Sequence, residues 1–110
     1  MIKIMFVCHG NICRSTMAEF VLKDMVRKKG LNWEIESAAT STEEIGNDTH
    51  YGTKAKLTEK GISFTPRRAR QITKTDYDHF DLLIGMDRNN MNNMRRFYQG
   101  DPQDKLRLLL

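Results

Sequence analysis

Ile2-Lys3-Ile4-Met5-Phe6-Val7-Cys8-His9-Gly10-Asn11-Ile12-Cys13-Arg14-Ser15 begins as a strand and ends as the start of a helix. Ile2 to Val7 is short, apolar and rich in β-branched residues, the pattern of a strand buried on both faces of a parallel sheet. It stops in Cys8-His9-Gly10-Asn11, which has turn chemistry. From Ser15 a helical period takes over, with Met17, Phe20, Val21, Met25 and Val26 mainly on one face. Lys28-Lys29-Gly30 closes that helix with basic residues and a C-terminal glycine. Thr16 and Glu19 have the spacing of a capping box at its start.

Outward from this unit, strands and helices alternate. Trp33 to Ser37 predicts a second strand, with Trp33 packing at the core edge, and Ala38 to His50 is polar and turn-rich. Tyr51 to Lys60 predicts a helix stopped by Gly61, and Ile62-Ser63-Phe64 a brief extended segment before Pro66. Thr73 to Phe80 reads as a short helix, Asp81 to Met86 as a third core strand, and Asp87 to Tyr98 as a helix with Met91, Met94 and Phe97 inward. Asp87 suits its N-cap. Gly100-Asp101-Pro102 turns the chain into a fourth strand from Lys105 to Leu110. Such alternation implies one α/β domain over residues 1–110, a doubly wound parallel four-stranded sheet with helices on both faces. Ligands of these folds bind beyond the carboxyl ends of the strands, where Cys8 falls.

Composition narrows the function. The 110 residues are 39% apolar and 29% charged, ordinary for a soluble globular chain, with no N-terminal apolar stretch long enough for a signal peptide or membrane span. A cytoplasmic monomer is expected. Two cysteines in that setting argue against a disulfide scaffold, and no Cys/His spacing suits zinc, so neither metal nor cofactor is expected. The net charge of +4 suits an anionic partner. Nucleic acid is not the expected one: Arg67-Arg68-Ala69-Arg70 and Arg95-Arg96 lack interleaved aromatics or a recognised module.

Cys8 to Ser15 has the form C-x5-R-S between strand and helix. A tight loop of that length turns successive backbone N–H groups inward as an anion nest, and the following helix adds its positive end. Gly10 and Asn11 tolerate the left-handed conformations such a loop needs. Arg14 can grip two phosphate oxygens at once, which Lys cannot. Cys8 would lie on the floor of this electropositive cradle, which favours its thiolate, with Ser15 in reach to stabilise it. Cys8 and Arg14 are thus candidate nucleophile and clamp, and His9, Gly10, Asn11, Ile12, Cys13 and Ser15 candidate phosphate-binding residues. A free cysteine at a strand end is often only a small buried hydrophobe. The strand before it, the glycine, the arginine spacing and the amphipathic helix after it together favour the reactive reading.

Val7-Cys8-His9-Gly10-Asn11-Ile12-Cys13-Arg14-Ser15-Thr16-Met17-Ala18-Glu19 resembles the signature of bacterial-type low-molecular-weight protein tyrosine phosphatases. The resemblance continues through Ser37-Ala38-Ala39-Thr40-Ser41, Gly61-Ile62, Ala69-Arg70-Gln71 and Met86-Asp87-Arg88-Asn89-Asn90. It implies a flavodoxin-like fold and hydrolysis of phosphotyrosine, in a protein or small aryl phosphate, through a phosphocysteine on Cys8. It also implies that Arg14 stabilises the transferring group and that Asn11 and Ser15 maintain loop and thiolate. Ile12 is typical of members acting on phosphotyrosine, where those preferring phosphoarginine carry Thr. Cys13 resembles a second loop cysteine that can pair with the nucleophile and protect it from irreversible oxidation; it reads equally as a packing residue.

The chain departs from the family in four places. Thr16 replaces a usual Pro, and Ala39 stands where many members have Gly. Arg67 takes the place of a His that hydrogen-bonds the loop Asn, which bears on loop rigidity. The family's general acid is an Asp-Pro aspartate after the fourth strand, whereas Asp101-Pro102 precedes it. Asp101 is therefore read as a turn residue rather than the acid, and the chain is expected to lack a C-terminal segment carrying the acid and a covering helix. Smaller candidates are His9, open to substrate or solvent, and His50 and Tyr51, which border the site from the second crossover. Three rival functions share the loop. An arsenate reductase would need further cysteines after Cys13, and a sugar-phosphotransferase phosphocarrier would be ill served by Arg14. A phosphate-binding module left idle without its acid would fail to turn over an aryl phosphate.

Overall fold

The computed structural model describes residues 1–109. Its elements in chain order are β1 (Lys3–Cys8), α1 (Arg14–Lys28), β2 (Glu34–Ala39), α2 (Tyr51–Glu59), α3 (Lys74–His79), β3 (Leu82–Gly85), α4 (Arg88–Tyr98) and β4 (Leu106–Leu108). The four strands form one parallel sheet in the order β2-β1-β3-β4. β1 lies between its two neighbours, and its residues Ile4 to Cys8 are all buried. That explains why the first strand reads as a continuous apolar run.

The period of two along β1 divides the core. Met5 and Val7 face Ile72, Tyr77, Phe80, Leu83 and Met94 on one side of the sheet. Ile4 and Phe6 face Val26 and Ile35 on the other, joined by Ala18, Leu22 and the half-buried Trp33. Helices cover both faces as expected: α3 and α4 supply the first side, α1 the second, with α2 packed against α1. Capping boxes fix the starts of the two helices after the second crossover, Thr73 with Asp76 for α3 and Asp87 with Asn90 for α4.

Two local expectations are corrected. β2 runs on through Ala38 and Ala39, which pair with Val7 and Cys8 and are buried, so the polar crossover begins at Thr40. The small side chains hid a strand end that tertiary burial makes apolar. At α1 no Thr16–Glu19 capping box forms. Cys13 is the N-cap without a side-chain cap bond, Thr16 Oγ1 donates back to Cys13 O at 2.9 Å, and Glu19 is buried. The face that α1 buries holds Ser15, Thr16, Glu19, Phe20, Asp24 and Val26. Met17, Val21 and the half-exposed Met25 instead line an open apolar groove of about 410 Å³ with Phe6, Met86 and Leu109. The apolar arc was legible, but polar anchoring of the loop turned it away from the sheet centre. No helix among the described residues is long and apolar enough to cross a membrane.

Candidate active site

β1 ends where its neighbours part in opposite directions along the sheet, the switch point of a doubly wound fold. The chain turns there through residues 9–13 into α1, whose positive end faces the loop. The loop is pinned by its backbone. Thr40 N donates to Cys8 O at 3.0 Å, Ser41 N to His9 O at 3.1 Å, and His50 N to Ile12 O at 2.7 Å. Asn11 takes the left-handed conformation, with φ of 59°, as the loop requires. Gly10 does not have positive φ; its constraint is space, since a Cβ there would stand 3.2 Å from Glu44 Cγ.

Cys8 is buried, and its sulfur lies 3.0 Å from Ser15 Oγ and 3.2 Å from the donating Asn11 amide. The direction of the Ser15 bond follows from its surroundings. Arg67 Nη2 donates to Asn11 Oδ1 at 2.8 Å, which fixes the orientation of that amide. Asn11 Nδ2 must then donate, and does so to Ser15 Oγ and to Ser37 Oγ, both at 2.8 Å. Ser15 Oγ, already accepting, has its own proton free to point at the sulfur. Ser37 accepts from Asn11 and from Arg67 Nη1 (2.8 Å) and passes its proton to the buried Glu19 carboxylate. A chain of hydrogen bonds therefore ends on the thiol, supplied by Arg67.

Arg67 thus anchors Asn11 from the place where the resemblance expects a histidine. Asp48 holds Arg67 in turn: its Oδ1 accepts from the Arg67 amide at 3.1 Å and its Oδ2 from Lys54 Nζ at 2.7 Å. The Lys54 bond, with the Thr49 and Arg67 amides, pulls the Asp48 carboxyl down to about 2.

Arg14, the first residue of α1, is half exposed and donates Nη1 to Asp87 Oδ2 at 2.9 Å. Asp87 does cap α4, accepting from Asn90 N at 2.8 Å through its other oxygen. The Asn90 amide and the Arg14 guanidinium together hold its carboxyl below the ordinary value against some burial. One side chain thereby ties the clamp arginine to the neighbouring strand's helix. The rest of the guanidinium fork remains for an anion.

The mouth is a cavity of about 230 Å³ lined by Cys8, His9, Gly10, Ile12, Cys13, Arg14, Glu43 and Glu44. Most of the candidate loop residues thus meet in one place, with Asn11 and Ser15 buried beneath them. Cys13 is exposed and free, which answers against a packing role. His9 Nε2 lies 3.1 Å from Glu43 Oε2. Sequence reading missed Glu43 and Glu44; their signal was their place in the crossover just past the carboxyl end of β2. His50 and Tyr51 do not line the mouth. His50 supports the loop by its backbone and caps α2 by its ring, and Tyr51 is 81% exposed.

Asp101 is at the opposite end of the sheet from the loop, before the amino end of β4. Its Oδ1 accepts from Tyr77 OH at 2.6 Å and Lys105 N at 2.8 Å, and its Oδ2 from Leu106 N at 3.1 Å. Burial works to raise its carboxyl, but those three donors prevail and hold it below the ordinary value. A proton donor needs the reverse.

The fold and site define a parallel α/β protein with a buried cysteine and an arginine on one loop at the switch point. Residues 3–110 match the family model of low molecular weight phosphotyrosine protein phosphatases. The low molecular weight protein-tyrosine-phosphatase YfkJ of Bacillus subtilis is 46% identical over 97 residues, covering 86% of this chain and 62% of that protein. The human low molecular weight phosphotyrosine protein phosphatase is 42% identical over 95 residues, covering 84% of this chain and 60% of its own length. Crystal structures of YfkJ and of the low molecular weight phosphatase SP-PTP from Streptococcus pyogenes superpose with TM-scores of 0.96 and 0.91, at 41% and 44% identity. They are covered over 70% and 71% of their chains, and cover 100% and 98% of this one. The chain belongs to the low molecular weight phosphotyrosine protein phosphatase family. It spans about three fifths of the length of the curated relatives it matches.

Proposed function

We propose that this chain carries the catalytic loop of a phosphatase that hydrolyses phosphotyrosine, in a protein or small aryl phosphate, through a phosphocysteine on Cys8. The observation that supports this most is the sulfur of Cys8, held between the Ser15 hydroxyl and the Asn11 amide beside Arg14. The Cys8 thiolate attacks phosphorus, the bond to the tyrosine oxygen breaks, and that oxygen takes up a proton. Water then attacks the phosphocysteine, the S–P bond breaks, and inorganic phosphate leaves with the thiolate restored. Arg14 and the loop amides, with His9, Gly10, Ile12 and Cys13 around them, hold the phosphoryl oxygens throughout and spread the developing charge. Ser15 steadies the sulfur as a leaving group in the second step. Ile12 in the mouth favours an aromatic leaving group over phosphoarginine. Cys13, exposed on the same loop, serves as the resolving thiol after oxidation of Cys8.

The test is to quench turnover of an aryl phosphate in acid and look for phosphate on the Met1–Arg14 peptide. A phosphorylated Cys8 is expected; steady turnover with no phosphate captured there would refute the covalent route. The leaving-group dependence tests the proton. General acid catalysis is worth about 10²- to 10⁴-fold, and among the described residues the carboxylates lining the mouth are Glu43 and Glu44. Rates should climb steeply as the phenol becomes more acidic. A flat series that turns steep in Glu43→Gln or Glu44→Gln would make one of those the acid.

A further inference from the structure

A second groove begins where the mouth ends. It has a volume of about 410 Å³ and lies between the β2–α2 crossover and α4, lined by His9, Thr40, Ser41, Asn93, Arg96 and Phe97. His9 walls both this groove and the mouth, so the two are continuous across one residue. Asn93, Arg96 and Phe97 stand at i, i+3 and i+4 and so share one face of α4. Ser41 holds the loop side in place, its Oγ donating to His9 O at 2.8 Å.

The groove is cationic and its main charge is unspent. Arg14, Arg27, Arg67, Arg70 and Arg107 each engage a carboxylate within 4 Å, whereas Arg68, Arg88, Arg95 and Arg96 do not among the described residues, and of these four only Arg96 lines this groove. Arg96 donates Nη1 only to the neutral Asn93 Oδ1, at 3.2 Å, which aims its fork without neutralising it. Lys74, outside the groove's lining, spends its ammonium on the Phe97 carbonyl and the Phe97 ring, so Arg96 is the guanidinium of the groove. In the floor, Thr40 Oγ1 is buried without a hydrogen-bond partner. Glu43 Oε2 stands 3.1 Å from His9 Nε2, at the wall the groove shares with the mouth.

We propose that this groove receives an acidic side chain of the substrate, close in sequence to its phosphotyrosine, with Arg96 as the ionic partner. The proposal deepens the phosphatase reading and rests on it. A residue next to the phosphotyrosine has its Cα about 3.8 Å away, so one or two residues carry the chain from the mouth past His9. A basic side chain there would face Arg96, and an apolar one would leave Arg96 as it is. Only an acid gains a partner.

The test uses the Cys8→Ser form, which binds without turnover, and phosphotyrosine peptides labelled for fluorescence anisotropy. Glu, Ala or Lys is placed in turn at each of the three positions on either side of the phosphotyrosine. At one position Glu should bind about two- to fivefold tighter than Ala and Lys weaker, the worth of one exposed ion pair. In an Arg96→Glu background the order should invert, with Lys tightest. Because that outcome is a gain of affinity for the Lys peptide, it cannot arise from a damaged fold. The same order in both backgrounds, or equal affinity at every position, would overturn the subsite. Failure of every phosphopeptide and of vanadate to bind would instead strike the phosphate loop itself.

Discussion

Asn11 and Asp101 are the organising side chains of opposite ends of the same sheet, one past the carboxyl end of β1 and the other before the amino end of β4. Asn11 uses both amide hydrogens, on Ser15 and Ser37, and accepts from Arg67 Nη2 and, at 3.4 Å, from Arg70 N. Asp101 gathers Tyr77 OH, Lys105 N and Leu106 N onto its two oxygens and so sets the start of β4. Both are hubs that lock a turn, yet only one sits in a chemical site. An amide both accepts and donates, so Asn11 passes a hydrogen bond onward to Ser15 and through it to the sulfur. A carboxylate only accepts, so at Asp101 every chain of bonds terminates. The end that carries the candidate site is the one whose scaffold passes a donor on to the Cys8 sulfur.

The contrast breaks most severely if the Cys8 end is altered. Cys8→Ser should abolish aryl phosphate turnover while leaving vanadate binding close to that of the original protein, because backbone N–H groups and Arg14 build most of the cradle. Turnover persisting near the original rate in that variant would remove Cys8 as nucleophile. Arg14→Lys should cost about 10²- to 10³-fold in rate, as loss of one preorganised donor does, and should also weaken phosphate binding. An unaltered rate constant would mean that the fork is idle.

Altering the other end should give the opposite profile. Asp101→Asn keeps the shape but loses the charge on three hydrogen bonds, and should lower stability by roughly 1.5–3 kcal/mol. Urea midpoints would show this, with the leaving-group dependence of turnover unchanged. If that dependence instead becomes steeper, Asp101 donates the proton and the distinction between the two ends collapses.

The smallest effect is a pH dependence behind the loop. Asp48 sits at about 2 in the folded protein and near 3.9 when unfolded. A depressed carboxyl contributes stability that is present in full above the unfolded value and lost as pH falls through the folded one. Asp48→Asn should therefore lower the melting temperature at neutral pH, with the gap to the original protein closing between about pH 4 and pH 2. A gap of constant size across that window would show that the Lys54 and Arg67 contacts are not the source of the shift.

Much of this was legible along the chain. β1, the loop and the start of α1 are local in sequence, so the apolar run, the C-x5-R-S spacing and the left-handed Asn11 could each be read from neighbours. Arg67 could not. It lies 56 residues from Asn11 in the chain, and its value as a replacement for histidine depends on a guanidinium reaching the amide oxygen across the crossover. Glu19 was misread for a related reason. Its spacing from Thr16 has the form of a cap, but burial beside Ser37 and Arg67 gave the carboxylate better partners than a backbone amide. Asp87 was read correctly as a cap and incompletely, since its second oxygen holds Arg14 73 residues away.

By itself the amino-acid sequence determined the parallel order of elements, the placing of Cys8 at a strand end and the chemistry available in its loop. Those follow from periodicity and from residue types within a few positions of one another. Tertiary structure alone decided which polar groups meet: Arg67 on Asn11, Asp87 on Arg14, Asp101 on Tyr77, and Arg96 facing His9 across an open groove. A hydrogen bond is decided by distances of a few tenths of an ångström between atoms that the chain brings together only after the sheet has formed, and no spacing along the sequence encodes them.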